Sequence, residues 1–268
     1  IVHAEMASPV RPVLSPDERY VVLEGDRLVL LDLWEDRRYQ MQQGGANVIW
    51  TPDSRRFAYL NEGEVYVTQI GDNGPIEILV SLGISLPDYL AGWSPDGERL
   101  AYIHRDTLRM LDTTTGDVTI LLDNDDVNFR FVDWSPNGEH LLVSYNYERM
   151  MGQYDLMLLP TDGTEPTLLY DTTDRVIGLK WSPDGERALI LEQLGNVRQM
   201  RILSLLPEVG RISGELVLPL DANHFQWVPD SRRILYINQR DRDIYIVDVV
   251  GSNLRRLTNN NNRNVLLK

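Results

Sequence analysis

The sequence predicts an all-β protein, a six-bladed β-propeller of four-stranded antiparallel blades. Five segments built on Trp, Pro and Asp recur along the chain, and a weaker sixth copy precedes them. The prolines of these copies stand at positions 16, 52, 95, 136, 183 and 229, in steps of 36, 43, 41, 47 and 46 residues. A step of this size is the length of one four-stranded propeller blade. We therefore expect a single propeller domain over residues 1–268.

The five complete copies share a Trp followed by a polar turn. They are Trp50–Arg56, Trp93–Arg99, Trp134–His140, Trp181–Arg187 and Trp227–Arg233. The sixth copy, Leu14–Arg19, reads as lacking both the Trp and one residue of the turn. Proline presets φ and Asp-Gly tolerates positive φ, so the motif predicts a tight hairpin between the first two strands of a blade. We expect the Trp side chains to wedge between neighbouring blades.

The same order of predicted strands surrounds each motif. A short apolar run precedes the Trp, as at 46–49, and a β-rich run follows the turn, as at Leu100–Ile103. A third run alternates in polarity, as at Ile244–Asp248, and a fourth is short and polar, as at Leu254–Leu257. A polar fourth run is typical of an exposed edge strand. Helix is nearly absent from this interpretation.

The two ends of the chain leave the closure of the propeller open. Asn264–Leu267 resembles the inner-strand segment Asn47–Trp50, so the C-terminal tail could enter the first blade or pair with residues 1–14. Val10–Leu14 competes for the same position. In a further alternative, residues 264–268 begin another blade.

Composition limits the classes of function. The 268 residues include 26 Lys and Arg against 40 Asp and Glu, which gives a formal net charge of −14. Binding to nucleic acid or to anionic lipid draws on clustered cations, so neither is expected. No apolar run approaches the roughly 18 residues that a membrane-spanning helix needs. The absence of cysteine excludes disulfides, thiolate nucleophiles and Cys-ligated zinc sites.

The string Trp93–Tyr102 resembles the WD40-like repeat of TolB propellers, and Asn253–Asn259 resembles the Arg-Leu-Thr ending of their blades. The resemblance covers essentially the whole chain. It implies a TolB-like, WD40-like six-bladed propeller that serves as a non-catalytic protein-interaction scaffold in the periplasm or outside the cell. A soluble subunit or domain of a larger envelope or membrane-associated assembly fits the same resemblance. Removal of an export signal is one way in which a chain comes to start at Ile1 rather than Met.

Motifs for catalysis and metal binding are weak. Ser94 stands in Gly-Trp-Ser-Pro-Asp, which lacks the closing Gly of a hydrolase nucleophile elbow. The 4 histidines show no zinc-ligand spacing. No cofactor is expected, and the weak candidates for a Ca²⁺ site are Asp123, Asp125 and Asp126. The alternative function is a metal-dependent hydrolase, lactonase or lyase site at the mouth of the channel.

Predicted partner-binding residues lie in two places. The connection over residues 145–154 is rich in Tyr, Met and Arg, which are enriched at interface cores. Its candidates are Tyr145, Tyr147, Arg149, Met150, Met151 and Tyr154. The loops that enter the inner strands surround one mouth of the channel, and the repeat register places there Asn47, Tyr89, Asn128, Arg130, Arg175 and His224. The sequence does not identify the partner.

Overall fold

The computed structural model describes residues 11–71, 74–76, 89–147, 153–207 and 210–259. Within these residues the chain forms 24 β-strands in six antiparallel sheets of four strands. Each sheet consists of strands that are consecutive in the sequence, and the sheets are blades 1 to 6 in chain order. The predicted all-β fold of six four-stranded blades is confirmed.

The strands divide between two compact units, and the first, Ile1–Asp123, contains blades 1 to 3. Blade 1 consists of β1 (Pro12–Leu14), β2 (Tyr20–Leu23), β3 (Val29–Asp32) and β4 (Arg37–Gln40). Blade 2 consists of β5 (Ala46–Trp50), β6 (Arg56–Asn61), β7 (Glu64–Gly71) and β8 (Gly74–Ile76). Blade 3 consists of β9 (Tyr89–Trp93), β10 (Arg99–His104), β11 (Thr107–Asp112) and β12 (Val118–Asp123).

The second unit, Asn124–Lys268, contains blades 4 to 6. Blade 4 consists of β13 (Val127–Trp134), β14 (His140–Tyr147), β15 (Tyr154–Pro160) and β16 (Thr167–Thr172). Blade 5 consists of β17 (Arg175–Trp181), β18 (Arg187–Leu194), β19 (Val197–Leu206) and β20 (Arg211–Leu218). Blade 6 consists of β21 (Ala222–Trp227), β22 (Arg233–Asn238), β23 (Ile244–Asp248) and β24 (Arg255–Arg256). The single domain over residues 1–268 stays a prediction.

The motif turn has the same backbone in all six blades. Its fifth residue is left-handed, with φ of 61°, 60°, 73°, 72°, 76° and 56° at Glu18, Ser54, Gly97, Gly138, Gly185 and Ser231. Glycine takes this conformation without steric cost, whereas Ser and Glu accept strain. The N–H of Ser15 donates to the Tyr20 carbonyl at 2.8 Å. The Ser94 N–H donates to the Arg99 carbonyl over the same number of residues, so the turns have the same length. The expectation that the first copy lacks a turn residue is therefore wrong, because Glu18 fills that position.

In five of the six blades the second residue of the motif is Ser or Thr, and its hydroxyl fixes the turn, whereas blade 6 has Val228 at this position. Ser94 is fully buried, and its Oγ accepts the Arg99 N–H at 2.9 Å while donating to the Asp96 carboxylate. Burial raises the pKa of Asp96, but hydrogen bonds from Ser94 and from the Glu98 N–H outweigh it and bring that pKa below its ordinary value. Ser94 is therefore a turn residue whose hydroxyl already donates and accepts hydrogen bonds within the turn.

Each motif Trp for which an acceptor is resolved bridges to the preceding blade. Trp93 is buried, and its indole N–H donates to the Ile49 carbonyl of blade 2 at 3.2 Å. Trp50 donates to the Val13 carbonyl of blade 1 at 3.2 Å. In both cases the acceptor directly precedes the first motif residue of the earlier blade. The predicted wedge is confirmed for these blades, whereas Leu14, which replaces the Trp in blade 1, is 51% exposed.

The hydrophobic core lies between successive sheets. Between blades 1 and 2, Leu30 belongs to the same buried cluster as Trp50 and Phe57, whose ring centroids are 4.9 Å apart. Between blades 4 and 5, Trp181 belongs to a buried cluster with Leu158. Large aromatic side chains contribute most of the buried area at such junctions, about 150–250 Å² each.

Burial falls from the second strand to the fourth strand of a blade. The longest buried runs lie in second strands, Leu141–Tyr145 in β14 and Ala188–Glu192 in β18. Both residues of β24 are exposed, and β12 buries only Leu121. The predicted exposure of the fourth strand is confirmed for blades 3 and 6, although β12 is largely apolar in sequence.

Residues near the N-terminus supply the first strand of blade 1. Strand β1 pairs with β2 in the register Val13 to Val22, so all four strands of this blade come from residues 12–40. Of the alternatives for this position, the N-terminal one is observed. The predicted closing segment Asn264–Leu267 lies outside the described residues.

Replacing Trp93 with Phe tests the bridge between blades 2 and 3. The phenyl ring keeps most of the apolar contact but leaves the Ile49 carbonyl without the indole donor, so we expect a loss of about 1–3 kcal/mol in the free energy of unfolding. Trp34→Phe is the matched control, because the Trp34 side chain is 70% exposed and its replacement should be neutral. Equal urea midpoints for the two variants would contradict the role of the bridge.

Candidate functional site

The first strands of unit 2 carry charged side chains and phenylalanines that those of unit 1 lack. Strands β1, β5 and β9 contain no charged residue. Strands β13, β17 and β21 carry exposed Arg130, Arg175, Lys180 and His224. Three of the 4 phenylalanines of the chain are half-buried on β13 and β21, namely Phe129, Phe131 and Phe225. These seven residues are the first-strand set.

A β-bulge exposes Arg130. The pairing of β13 with β14 shifts register between Phe129 and Phe131, so Arg130 has no paired residue in that ladder. A bulge bends the strand and re-aims the side chain of the extra residue. The Arg130 Nε donates to Asn146 Oδ1 at 2.5 Å, which holds the guanidinium over the start of blade 4.

Asp133 and Lys180 join the ends of β13 and β17. The Lys180 ammonium lies 2.5 Å from Asp133 Oδ1, and the Trp181 N–H donates to Asp133 Oδ2 at 2.7 Å. Burial raises the pKa of the Asp133 carboxyl above its ordinary value, although Lys180 and the Trp181 N–H both favour the charged form. The pair fixes blade 4 against blade 5.

Close packing joins β17 to β21. A Cβ placed on Gly178 would lie 2.5 Å from the Phe225 ring, so only glycine allows this approach. From β19 of the same blade, Arg198 donates to the Ala222 carbonyl at 3.1 Å and also to the Asn223 side chain. The first strands of blades 5 and 6 are therefore held at a fixed spacing.

The predicted tyrosine-rich connection is only partly described. Tyr145 is buried, and its hydroxyl donates to Asp155 at 3.3 Å, while Tyr147 donates to the same carboxylate at 2.8 Å. Burial raises the pKa of Tyr145. Tyr147 and Tyr154 are half-buried, whereas Tyr145 is withdrawn from the surface. The partner-binding role of this connection stays a prediction. The remaining candidates, Arg149, Met150 and Met151, lie outside the described residues.

The other predicted residues of the channel mouth occupy the starts of first strands. Asn128 is half-buried on β13, and Arg175 is the exposed first residue of β17. In unit 1, Tyr89 begins β9 and is 50% exposed, and Asn47 stands in β5 with a left-handed φ of 56°. Their role in partner binding stays a prediction.

The acidic loop forms the connection between blades 3 and 4. Asp123 is the last residue of β12, and Asp125 and Asp126 are exposed in the connection that precedes β13. The Asp126 N–H donates to the Asn124 side chain at 3.1 Å. Over the described part of the chain, no three His, Asp or Glu side chains are grouped so that they could hold a metal ion. The weak Ca²⁺ assignment stays untested.

Sequence reasoning missed Asp133 and Lys180. Both directly precede a motif Trp, and the Lys180 carbonyl accepts the Trp227 indole of the next blade. Unit 1 has Val13 and Ile49 at this position, so aligning the six motifs would have shown the change from apolar to charged. Their pairing depends on the packing of two blades and is not visible in either repeat alone.

Comparison with known proteins identifies the fold. No family model matches the chain, and no curated protein matches it. The β-propeller domain of Cps50 (Swd1) from Myceliophteria thermophila is 14% identical, with a TM-score of 0.60 over 96% of this chain and 87% of that chain. TolB from Acinetobacter baumannii is 13% identical, with a TM-score of 0.55 over 90% of this chain and 61% of that chain.

Enzymes share the same fold. An oligogalacturonate lyase in complex with manganese is 16% identical, with a TM-score of 0.65 over 96% of this chain and 78% of that chain.

Among the described residues, no helix is long and apolar enough to cross a membrane. The six sheets and these structural neighbours show that the chain has the six-bladed β-propeller fold, which it shares with TolB and with the Cps50 (Swd1) propeller domain.

Proposed function

We propose that this propeller is a non-catalytic protein-interaction scaffold whose first-strand set in unit 2 binds an acidic, partly apolar segment of a partner protein. The observation that carries the proposal is the concentration of exposed cations and half-buried phenylalanines on β13, β17 and β21, in a chain with a net charge of −14. A local excess of cations on an acidic protein attracts carboxylates selectively.

The chemistry of the first-strand set suits a peptide segment. Guanidinium groups bind carboxylates through two parallel hydrogen bonds, and Arg130 and Arg175 are both exposed. Phe129 and Phe131 supply apolar contact beside Arg130, and such mixed surfaces of aromatic side chains and Arg dominate binding energies at interfaces. The spacing fixed by Gly178 keeps the surface preformed, which reduces the entropy lost on binding.

An extracytoplasmic location, within a larger envelope-associated assembly, completes the proposal. The fold shared with TolB supports it, together with the resemblance of the repeat. Likeness of fold does not fix function, so identification of copurifying proteins from the source cells is the direct test.

Reversal of charge in the first-strand set tests the scaffold function. The double variant Arg130→Glu/Arg175→Glu should bind a labelled peptide of alternating Glu and Phe at least about tenfold more weakly than the parent, because each substitution replaces attraction by repulsion. Fluorescence anisotropy at low and high salt measures the affinity, and salt should weaken binding to the parent.

Arg55→Glu/Arg232→Glu is the control matched in charge, since both arginines are exposed at motif turns and lie outside the first-strand set. This control should keep the affinity of the parent. An equal loss of peptide affinity in both variants would show that overall charge causes the effect, which would contradict the proposed site.

The raised pKa of Asp133 favours an enzyme as the second candidate function, because shifted carboxyls next to a Lys recur in active sites. In the scaffold function, by contrast, Asp133 has a structural role, because its carboxylate holds blade 4 against blade 5. A folded-state pKa above the unfolded value of about 3.9 means that the folded protein binds the proton more tightly. The parent therefore loses stability as pH rises from the unfolded value through the raised one.

Asp133→Asn removes this titration. We expect the stability of the variant relative to the parent to increase from pH 4 to pH 8, as measured by urea unfolding at each pH. Asp125→Asn in the exposed loop is the control, and its difference from the parent should vary less with pH. Parallel pH profiles for Asp133→Asn and the parent would contradict the assignment of a raised pKa.

A further inference from the structure

The seventh residue of the motif links neighbouring blades. In blade 2, Arg56 Nη2 donates to the Gly97 carbonyl of blade 3 at 2.7 Å. In blade 5, Arg187 Nη1 donates to the Ser231 carbonyl of blade 6 at 2.7 Å. Gly97 and Ser231 both hold the fifth motif position, so the same guanidinium-to-carbonyl bond recurs at two junctions in the two units.

The junction between blades 4 and 5 lacks this arginine. His140 holds the seventh position in blade 4, and its shorter side chain stands beside a cavity of about 750 Å³. Gly185, the fifth motif residue of blade 5, lines the same cavity and presents the carbonyl that an arginine would reach at the other junctions. Cavities of about 300–1,000 Å³ accommodate small ligands.

Two buried polar atoms at this cavity have no partner among the described residues. They are His140 Nδ1 and Trp181 Nε1, and both residues line the cavity. Trp181 is only 5% exposed, whereas the indole of Trp227 at the next junction donates to the Lys180 carbonyl at 3.4 Å. Buried donors and acceptors are normally satisfied, so the junction between blades 4 and 5 is one at which the polar groups of the motif lack their usual protein partners.

The acidic residues of the cavity wall favour a cationic ligand. Glu139, Asp184 and Glu186 line it, and the Glu139 carboxylate already accepts the Asn137 amide at 2.7 Å. The cationic residue of the wall, Arg187, is bound to blade 6. The wall is therefore acidic.

Blade 1 provides the internal comparison. Tyr20 holds the seventh position there, and a cavity of about 430 Å³ lies beside it. That cavity already contains a guanidinium, since Arg19 lines it and pairs with the Asp32 carboxylate at 2.7 Å. The blade 4–5 cavity has no equivalent ion pair within its described wall.

We propose that the cavity between blades 4 and 5 binds an arginine side chain of a partner protein. The guanidinium takes the place of the missing seventh-position arginine and donates to the Gly185 carbonyl and to the carboxylates of Glu139 and Glu186. This site is distinct from the first-strand set and does not depend on it.

The test uses the full chain and the peptide acetyl-Gly-Arg-Gly-amide. The same peptide with citrulline in place of arginine keeps the shape of the side chain but lacks the positive charge. The same peptide with lysine keeps the positive charge but lacks the guanidinium group. Isothermal titration calorimetry should show the arginine peptide binding at least about tenfold more tightly than either analogue. Failure of the arginine peptide to bind, or equal affinity for all three peptides, would overturn the proposal.

His140→Arg distinguishes loss of the site from loss of the fold. The new side chain should reach the Gly185 carbonyl as Arg187 reaches Ser231, which raises the melting temperature and abolishes binding of the arginine peptide. His104→Arg at the end of β10 adds the same charge in unit 1 and should leave binding unchanged. Retained binding of the arginine peptide by His140→Arg would overturn the proposal. The affinity of His140→Arg for the peptide of alternating Glu and Phe should equal that of the parent.

Discussion

The packing of each motif Trp against the preceding sheet is the interaction on which the other features of the propeller depend. The indole fills the gap between two twisted sheets, and in Trp50, Trp93 and Trp227 its N–H donates to a first-strand carbonyl of the preceding blade. The turn that follows is fixed by a proline and a left-handed residue, and in five of the six blades also by a hydroxyl. Because these groups are contiguous in the chain, each complete repeat carries the residues of its own junction.

Departures from the repeat mark the positions with functional capacity. A junction has a fixed set of donors and acceptors, so a changed residue leaves polar groups without their usual partners. Asp133 brings a carboxylate to a position that is apolar in unit 1, and His140 removes the arginine that elsewhere links two turns. Both departures lie between blades 4 and 5, where a charged pair and an acidic cavity result. The arginine bonds at the blade 2–3 and blade 5–6 junctions make the change at His140 interpretable.

Particular residues show how far sequence reasoning reached. Blade number, strand order and the exposed fourth strands of blades 3 and 6 were predicted correctly, because they follow from alternation and turn chemistry within one repeat. The first copy was misjudged at Glu18, since a left-handed glutamate is rare and the motif favours glycine there. Tyr145 looked like a contact residue by composition, but its strand alternation places it against Asp155 in the interior.

The sequence alone determined the six-bladed fold, because hydrophobic alternation, the Pro-Asp turn and the recurring Trp act over short stretches of chain. The tertiary structure decided the candidate sites. Lys180 meets Asp133 across 47 residues, and the bulge at Arg130 depends on the register between two strands. The blade 4–5 cavity likewise exists only because two turns from different repeats face each other. Contacts of this kind are set by the packing of whole sheets, which no single repeat encodes.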